Sequence, residues 1–285
     1  DASRSVGVVE KLLNKESKNK FLETNRINQK DSAARYKLRD IKLTPYAEAI
    51  QRRFQTDWNS MEIAKPDFTG VRTLDDIPLS EIRPYIDWTP FFMTWELAGK
   101  YPKILSDEVV GEQATELFAD ATALLDKIIG NQLLTARACY GFWPAGSDGD
   151  DLVLFSDETR QTELARFHML RQQWERKDQK HFRSLADYVA PIKSGQKDYI
   201  GGFAVTTGIG CDELCEEYDR DHDQYNSIMV KALADRLAEA LAEKLHKIVR
   251  HDWGFGAAED LTQEELLKDS FHRIHTNLLF HPTSY

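Results

Sequence analysis

The stretch YNSIMVKALADRLAEALAEKLHKIVR at 225–250 decides much of the fold. Within 228–250, Met229, Leu233, Leu237, Leu241, Leu245 and Ile248 recur every three or four residues, which predicts a long helix with one apolar stripe. Upstream, Val110, Ala114, Leu117, Ala121, Leu124 and Ile128 keep the same period and predict a helix over 107–129, with Gly130 at its stop. Between these helices the pattern changes. ARACYGFWP at 136–144 and LVLFSD at 152–157 are β-prone runs around a Gly/Asp-rich AGSDGDD, the pattern of a β-hairpin with a longish loop. YIGGFAVTTGIG at 199–210 reads as a strand leading into a glycine-rich loop, and ELARFHMLRQQW at 163–174 fits strand or helix. Strands and helices that mix without alternating predict an α+β class: a single large domain with a central twisted antiparallel-rich sheet flanked by helices.

Away from this centre the signal weakens. Residues 1–60 are polar and largely helical in pattern, with Val6, Val9, Leu12 and Leu13 predicting a short helix and 14–40 a weakly amphipathic connecting helix. Trp58 to Asp76 contains Pro66 and Gly70 and reads as loop or edge structure, so the compact core is expected to begin near Leu74. Thr262-x-x-Glu265 is a capping-box signature for a short helix with Leu267, Phe271 and Ile274 facing inward. The chain opens DASRSV without an initiator methionine, as a piece of a longer polypeptide would.

Composition removes several function classes. A formal charge of −10 argues against nucleic-acid binding, which needs a basic footprint, and against docking on anionic lipid. No apolar run approaches the roughly 20 residues of a membrane helix, and no secretory signal pattern opens the chain. Cys139, Cys211 and Cys215 suit a reducing, cytoplasmic setting. The C-x3-C pair fits one helical turn of idle thiols, because a metal or redox pair usually brings further ligands. His272, His275 and His281 are the densest histidine group, with His246 and His251 upstream, but no H-E-x-x-H motif or cysteine partner accompanies them. The glycines of 199–210 meet neither G-x-G-x-x-G nor G-K-[S/T] and read as strand plus turn, and no G-x-S-x-G serine motif occurs.

Two features carry candidate chemistry. The run YIDWTPFF at 85–92, followed by Trp95 and GKYP at 99–102, sets one carboxylate, Asp87, among bulky aromatics. An acid in so apolar a setting must be paired, hydrogen-bonded or solvated at a groove. On the 228–250 helix, Asp235, Glu239 and Glu243 are spaced four apart and share a face, with Lys231, Arg236, Lys244 and Lys247 close enough to offset them. That face fits either a solvated helix surface or an acidic wall toward a cationic ligand. A sulfonium suits such a wall, since it cannot be neutralised by losing a proton.

Several blocks, in order, resemble the C-terminal activation domain of cobalamin-dependent methionine synthase. They are YIDWTPFFMTWELAGKYPKIL (85–105), DEVVGEQA (107–114), GFWPA (141–145), LRQQ (170–173), LADYVAP with DYIGGFAV (185–205), YNSIMVKALADRLAEALAEKLH (225–246), WGFG (253–256) and LTQEELLKD (261–269). The resemblance covers roughly 75–270. It implies a helical linker from a preceding cobalamin-binding domain over 1–60 and an activation domain over 61–285. It also implies S-adenosylmethionine as ligand, cobalamin held by the neighbouring domain, and a flavodoxin or diflavin reductase as electron donor. The expected role is to present the S-adenosylmethionine methyl for reductive remethylation of cob(II)alamin. By this resemblance Asp87 grips the ligand ammonium and Glu239 lies near the sulfonium. Asp269 takes the place of a second such glutamate with a shorter reach, and Asp235 holds the histidine that the cobalamin domain releases.

The resemblance breaks after 270. The family carries R-x-x-x-G-Y-P there, whose arginine clamps the ligand carboxylate. This chain runs FHRIHTNLLFHPTSY, with His275 at the arginine's register and Arg273 two residues early. Neutral histidine does not replace a bidentate guanidinium. Three explanations stand: a truncated or frameshifted tail, a natural short form, or a tail that folds differently and supplies substitutes. The break also motivates an alternative function, a docking and capping module for the cobalamin domain and reductase that no longer binds S-adenosylmethionine.

Overall fold

The structure is a computed structural model, and it describes residues 8, 11–13, 18–37, 42–176, 179–254 and 279–280. The chain divides into two compact units, Asp1–Arg53 with Arg171–Arg183, and Phe54–Leu170 with Ser184–Tyr285.

The first unit holds helix α1 (Lys18–Lys37) and helix α2 (Tyr46–Gln51). Up to Ala34, the α1 side chains are exposed except for half-buried Phe21 and Leu22, as the weak amphipathicity of 14–40 predicts. The segment 171–183 closes onto 42–53 through backbone ties. Thr44 N donates to Gln173 O (2.8 Å), Glu175 N to Lys42 O (3.0 Å) and Phe182 N to Arg52 O (3.0 Å).

The second unit contains strand β1 (Gly70–Ile77), helices α3 (Leu79–Ile82), α4 (Thr89–Thr94) and α5 (Gly111–Gly130), and strands β2 (Thr135–Asp148), β3 (Asp151–Phe155), β4 (Glu163–His168) and β5 (Asp198–Ile209). Helices α6 (Cys211–Arg220) and α7 (Gln224–Asp252) follow, then the short strand β6 (Leu279–Phe280). The sheet runs β4-β3-β2-β5-β6, with β1 also on β2. Its spine is β2. One edge pairs with β5 from Thr135 to Ala145; the other pairs first with β1 and then, from Ala145 to Asp148, with β3. All pairings are antiparallel except β5 with β6. The α+β expectation holds, and β1 is the edge structure expected before residue 76.

Two local expectations change. The longish hairpin loop does not form, because β2 runs on through Ala145, Gly146 and Ser147, all buried, to Asp148. Asp148 pairs with Asp151 across a two-residue turn whose first position, Gly149, takes φ +67°. A glycine reaches that conformation without Cβ strain, which is what a tight hairpin requires. Nor does 199–210 end in a glycine-rich loop. Strand β5 continues to Ile209, and Gly210 alone makes the turn, at φ +93° as the N-cap of α6. A Cβ there would lie 2.5 Å from Leu133 O. The ambiguous 163–174 stretch begins as strand β4. Its Arg166 binds Glu163 (2.9 Å), Asp148 (3.1 Å) and Asp151 (3.2 Å), ion pairs that reach along and across the sheet.

Helices α5 and α7 supply the stripes that close the core. Ala114, Leu117, Ala121, Leu124 and Ile128 are buried on α5, and Met229, Leu233, Leu237, Leu241 and Leu245 on α7. They meet Tyr140, Phe142, Tyr199 and Phe203 from the sheet and Phe91, Phe92 and Trp253 from the flanks. Thr207 Oγ1 donates to Ala234 O (2.7 Å), fixing β5 against the middle of α7.

Candidate functional site

The aromatic block is a structural anchor that leaves its acid outside. Trp88, Phe91 and Phe92 are buried, each burial worth about 1.5–3 kcal/mol. Trp88 stands edge-on to Phe91 (5.4 Å) and to Phe118 of α5 (4.9 Å). Asp87, between the 3-10 turn Arg83–Tyr85 and α4, is exposed. Its Oδ1 accepts a hydrogen bond from Thr89 N at 2.9 Å, an Asx turn that opens α4. Thr89 Oγ1 in turn accepts from Tyr101 N (3.2 Å), so the GKYP turn is tied to the same loop. Of the routes open to Asp87, the chain uses hydrogen bonding with solvation.

Helix α7 lies against this segment along much of its length. At its N-terminal end Tyr225 packs on Trp95 of the α4 C-cap (5.2 Å) and donates its hydroxyl to Asp120 of α5 (2.8 Å). Burial and the Asp120 hydrogen bond push that hydroxyl up to about 12. Toward the other end, Lys244 pairs with Glu81 of α3. The two fixed points are 19 residues apart on α7, roughly 28 Å of helix. The 81–95 segment is strung between them in the opposite chain direction. Asp235 and Glu239 lie between Tyr225 and Lys244 on α7.

The three acids of α7 are not equivalent. Asp235 is exposed and accepts from Arg236 Nη2. Glu239 and Glu243 are half-buried, and both have partners within the protein. Of the basic residues expected to offset the stripe, Arg236 does so at Asp235, whereas Lys244 pairs with Glu81 instead. Asp269 lies outside the described residues, as do the Thr262 capping box and His272, His275 and His281. Among the described residues no group of three or more His, Cys, Asp or Glu could hold a metal ion. Cys211 and Cys215 occupy the first turns of α6 as free thiols, their sulfurs 4.0 Å apart in a weak S–H···S hydrogen bond, and burial pushes the Cys211 thiol up to about 11.

Sequence reasoning missed the far end of α7. Asp252 accepts from Tyr140 Oη (2.7 Å) and Arg72 Nη1 (2.9 Å), while its backbone O accepts from Asp67 N (2.9 Å). Arg72 lies over the Phe68 ring at 3.7 Å. This clamp joins β1, β2 and α7 just before the segment that carries Asp269. No local motif marks it, since its members are 112 and 180 residues apart in sequence.

A family model described as the vitamin B12 dependent methionine synthase activation domain matches residues 78–278. The span includes Asp87, Asp235, Glu239 and Asp269. Among solved structures, the chain is similar to a crystal structure of the MetH reactivation domain bound to AdoHcy. The two are 46% identical with a TM-score of 0.75, over 80% of this chain and 70% of that one.

Proposed function

The chain belongs to the vitamin B12-dependent methionine synthase activation-domain family, and from that premise we propose that it binds S-adenosylmethionine in the groove between the Asp87 loop and α7. The observation that supports this reading is the antiparallel run of 81–95 along α7, tied at Trp95–Tyr225 and Glu81–Lys244, with Asp87 between the ties on one segment and Asp235 and Glu239 between them on the other. The likeness to a domain bound to AdoHcy supports it.

The groove's donor set fits such a ligand. One Asp87 oxygen is engaged by Thr89 N, which fixes the carboxylate's direction and leaves it the charge to hold an ammonium. Glu239, half-buried on a helix packed on both sides, is a placed anion for the sulfonium. Asp269 would add a third carboxylate. S-adenosylmethionine, when bound, supplies an electrophilic methyl group for reductive remethylation of cob(II)alamin. Asp235 is the residue assigned to hold the histidine of the cobalamin domain. The work of this chain is therefore positioning rather than bond-making. In this reading it is one component of a methyltransferase, not catalytic alone. Its partners are the cobalamin-binding domain of the same enzyme and a flavodoxin or diflavin reductase in the cytoplasm. Among the described residues no helix is long and apolar enough to cross a membrane.

Isothermal titration with S-adenosylmethionine tests the proposal. Binding is expected, weakened at least about tenfold by Asp87→Asn and by Glu239→Gln, because each removes one charge-assisted contact. Full affinity in both variants would place the ligand elsewhere. One observation favours a second reading: His275 stands at the register of the family's carboxylate-clamping arginine. In that reading the chain docks on and caps the cobalamin domain without the ligand, and the titration shows no heat at millimolar S-adenosylmethionine.

A further inference from the structure

Helix α6 opens on a pair of thiols that the proposed ligand groove does not use, Cys211 and Cys215. Gly210, at φ +93°, turns the chain out of β5 and sets Cys211 in the first turn of the helix. Cys215 follows one turn later on the same face, and the two sulfurs stand 4.0 Å apart. Cys215 is 4% exposed and donates its S–H to Ser227 O of α7 at 3.5 Å. The hydrogen between the sulfurs therefore comes from Cys211. That residue is half-buried, so the pair is open to solvent on the Cys211 side.

The separation and the donor count decide what two such thiols can do. Residues four apart on a helix hold their Cβ atoms about 5–6 Å apart, against the roughly 3.5–4.5 Å that a disulfide needs. Oxidation would therefore have to open the first turns of α6. Two sulfurs bonded to one ion at about 2.3 Å stand roughly 3.8 Å apart at a tetrahedral angle and roughly 4.6 Å apart in a straight line. The observed 4.0 Å falls between these values, so both thiols reach one ion with side-chain adjustment alone. A tetrahedral zinc site needs two further ligands. Among the described residues no group of three or more His, Cys, Asp or Glu is assembled to supply them. Soft sulfur donors without a third partner favour Cu(I), which two of them satisfy.

We propose that Cys211 and Cys215 form a two-coordinate site for a soft monovalent cation, Cu(I). Binding replaces two S–H bonds by two Cu–S bonds and releases two protons, with no change of oxidation state. The product carries one net negative charge. Lys231 of α7 acts on the Cys211 sulfur with the opposite sign and Asp212 with the same sign, and the N-terminal end of α6 adds its positive dipole. The further ligands whose absence makes C-x3-C read as idle in the sequence are not needed at coordination number two. Neither cysteine belongs to the groove proposed for S-adenosylmethionine, so the site stands whether or not that ligand binds.

Anaerobic titration of the reduced full chain with Cu(I), in competition with the chelator bathocuproine disulfonate, tests the assignment. One equivalent should bind, with a thiolate-to-copper charge-transfer band in the ultraviolet. The affinity should fall at least about a hundredfold in Cys211→Ser and in Cys215→Ser and stay unchanged in Cys139→Ser. Melting temperatures without the ion show whether the variants fold. Cys211→Ser, at the more open position, keeps the test valid where the buried Cys215→Ser does not fold. Zn(II) should not bind the pair. No uptake of Cu(I) at about 50 µM protein and ion overturns the proposal. So does uptake that survives Cys211→Ser, or a Zn(II) site at the same thiols as tight as the Cu(I) site.

Discussion

Asp87 has two roles that substitution can separate. Its Oδ1 holds Thr89 N and so opens α4, while its charge is what the proposed ligand reads. Asp87→Asn keeps an acceptor oxygen and removes the charge; Asp87→Ala removes both. The alanine variant should lose about 1 kcal/mol of stability, the usual cost of a lost capping acceptor, and the asparagine variant much less. Denaturant titration of both checks this, and equal stability would mean the Asx turn contributes nothing. The sequence shows that an acid among aromatics must be hydrogen-bonded or solvated, because desolvation alone dictates it. It does not show which partner is used. That depends on the loop's dihedral angles, set here by Trp88, Phe91 and Phe92 turning inward together.

Helices α5 and α7 were legible because their apolar periods are long and unbroken, and their bounds fall within a few residues of expectation. The expected hairpin loop and glycine-rich loop are strand instead. Small residues at 145–147 look like turn residues locally, but they fill buried sheet positions, where a Cβ on Gly146 would lie 2.7 Å from Ile192 Cγ1; at 206–209 the strand runs on with mostly exposed side chains. The acids that start the two helices show neither ambiguity. Asp107 Oδ1 accepts from Val109 N (2.9 Å) and Val110 N (3.1 Å) ahead of α5, and Asp223 Oδ1 from Asn226 N (3.0 Å) as the N-cap of α7. These backbone N–H groups hold both carboxyls below the usual carboxylate range. A depressed folded value stabilises the fold above the unfolded value of about 4 and loses that contribution as pH falls through the folded one. The melting temperature should therefore decline in acid, and Asp107→Asn/Asp223→Asn should flatten the decline by lowering the melting temperature at neutral pH while leaving it nearly unchanged in acid. An acid limb of unchanged steepness would assign it to other carboxylates.

At the scale of the molecule, the least legible feature is the return of 171–183 onto 42–53. Backbone hydrogen bonds carry it, and they leave no periodic trace in either segment. The packing of 81–95 on α7 leaves no local trace either, since Trp95–Tyr225 and Glu81–Lys244 are pairings across 130 and 163 residues. By the resemblance read from the sequence, the tail is where a departure from the family is expected, although the family model matches on to residue 278. If the proposed carboxylates hold the ammonium and sulfonium, the ligand carboxylate needs a partner of its own, and the resemblance puts His275 at the arginine's register. A charge-assisted bidentate contact is worth on the order of 2–3 kcal/mol, about a hundredfold in affinity if none of it is offset. Replacing 271–285 with a segment carrying R-x-x-x-G-Y-P in that register should tighten S-adenosylmethionine binding at least about tenfold in calorimetry. An affinity that does not move would mean that the carboxylate is already held, and that the tail supplies its own substitute for the arginine.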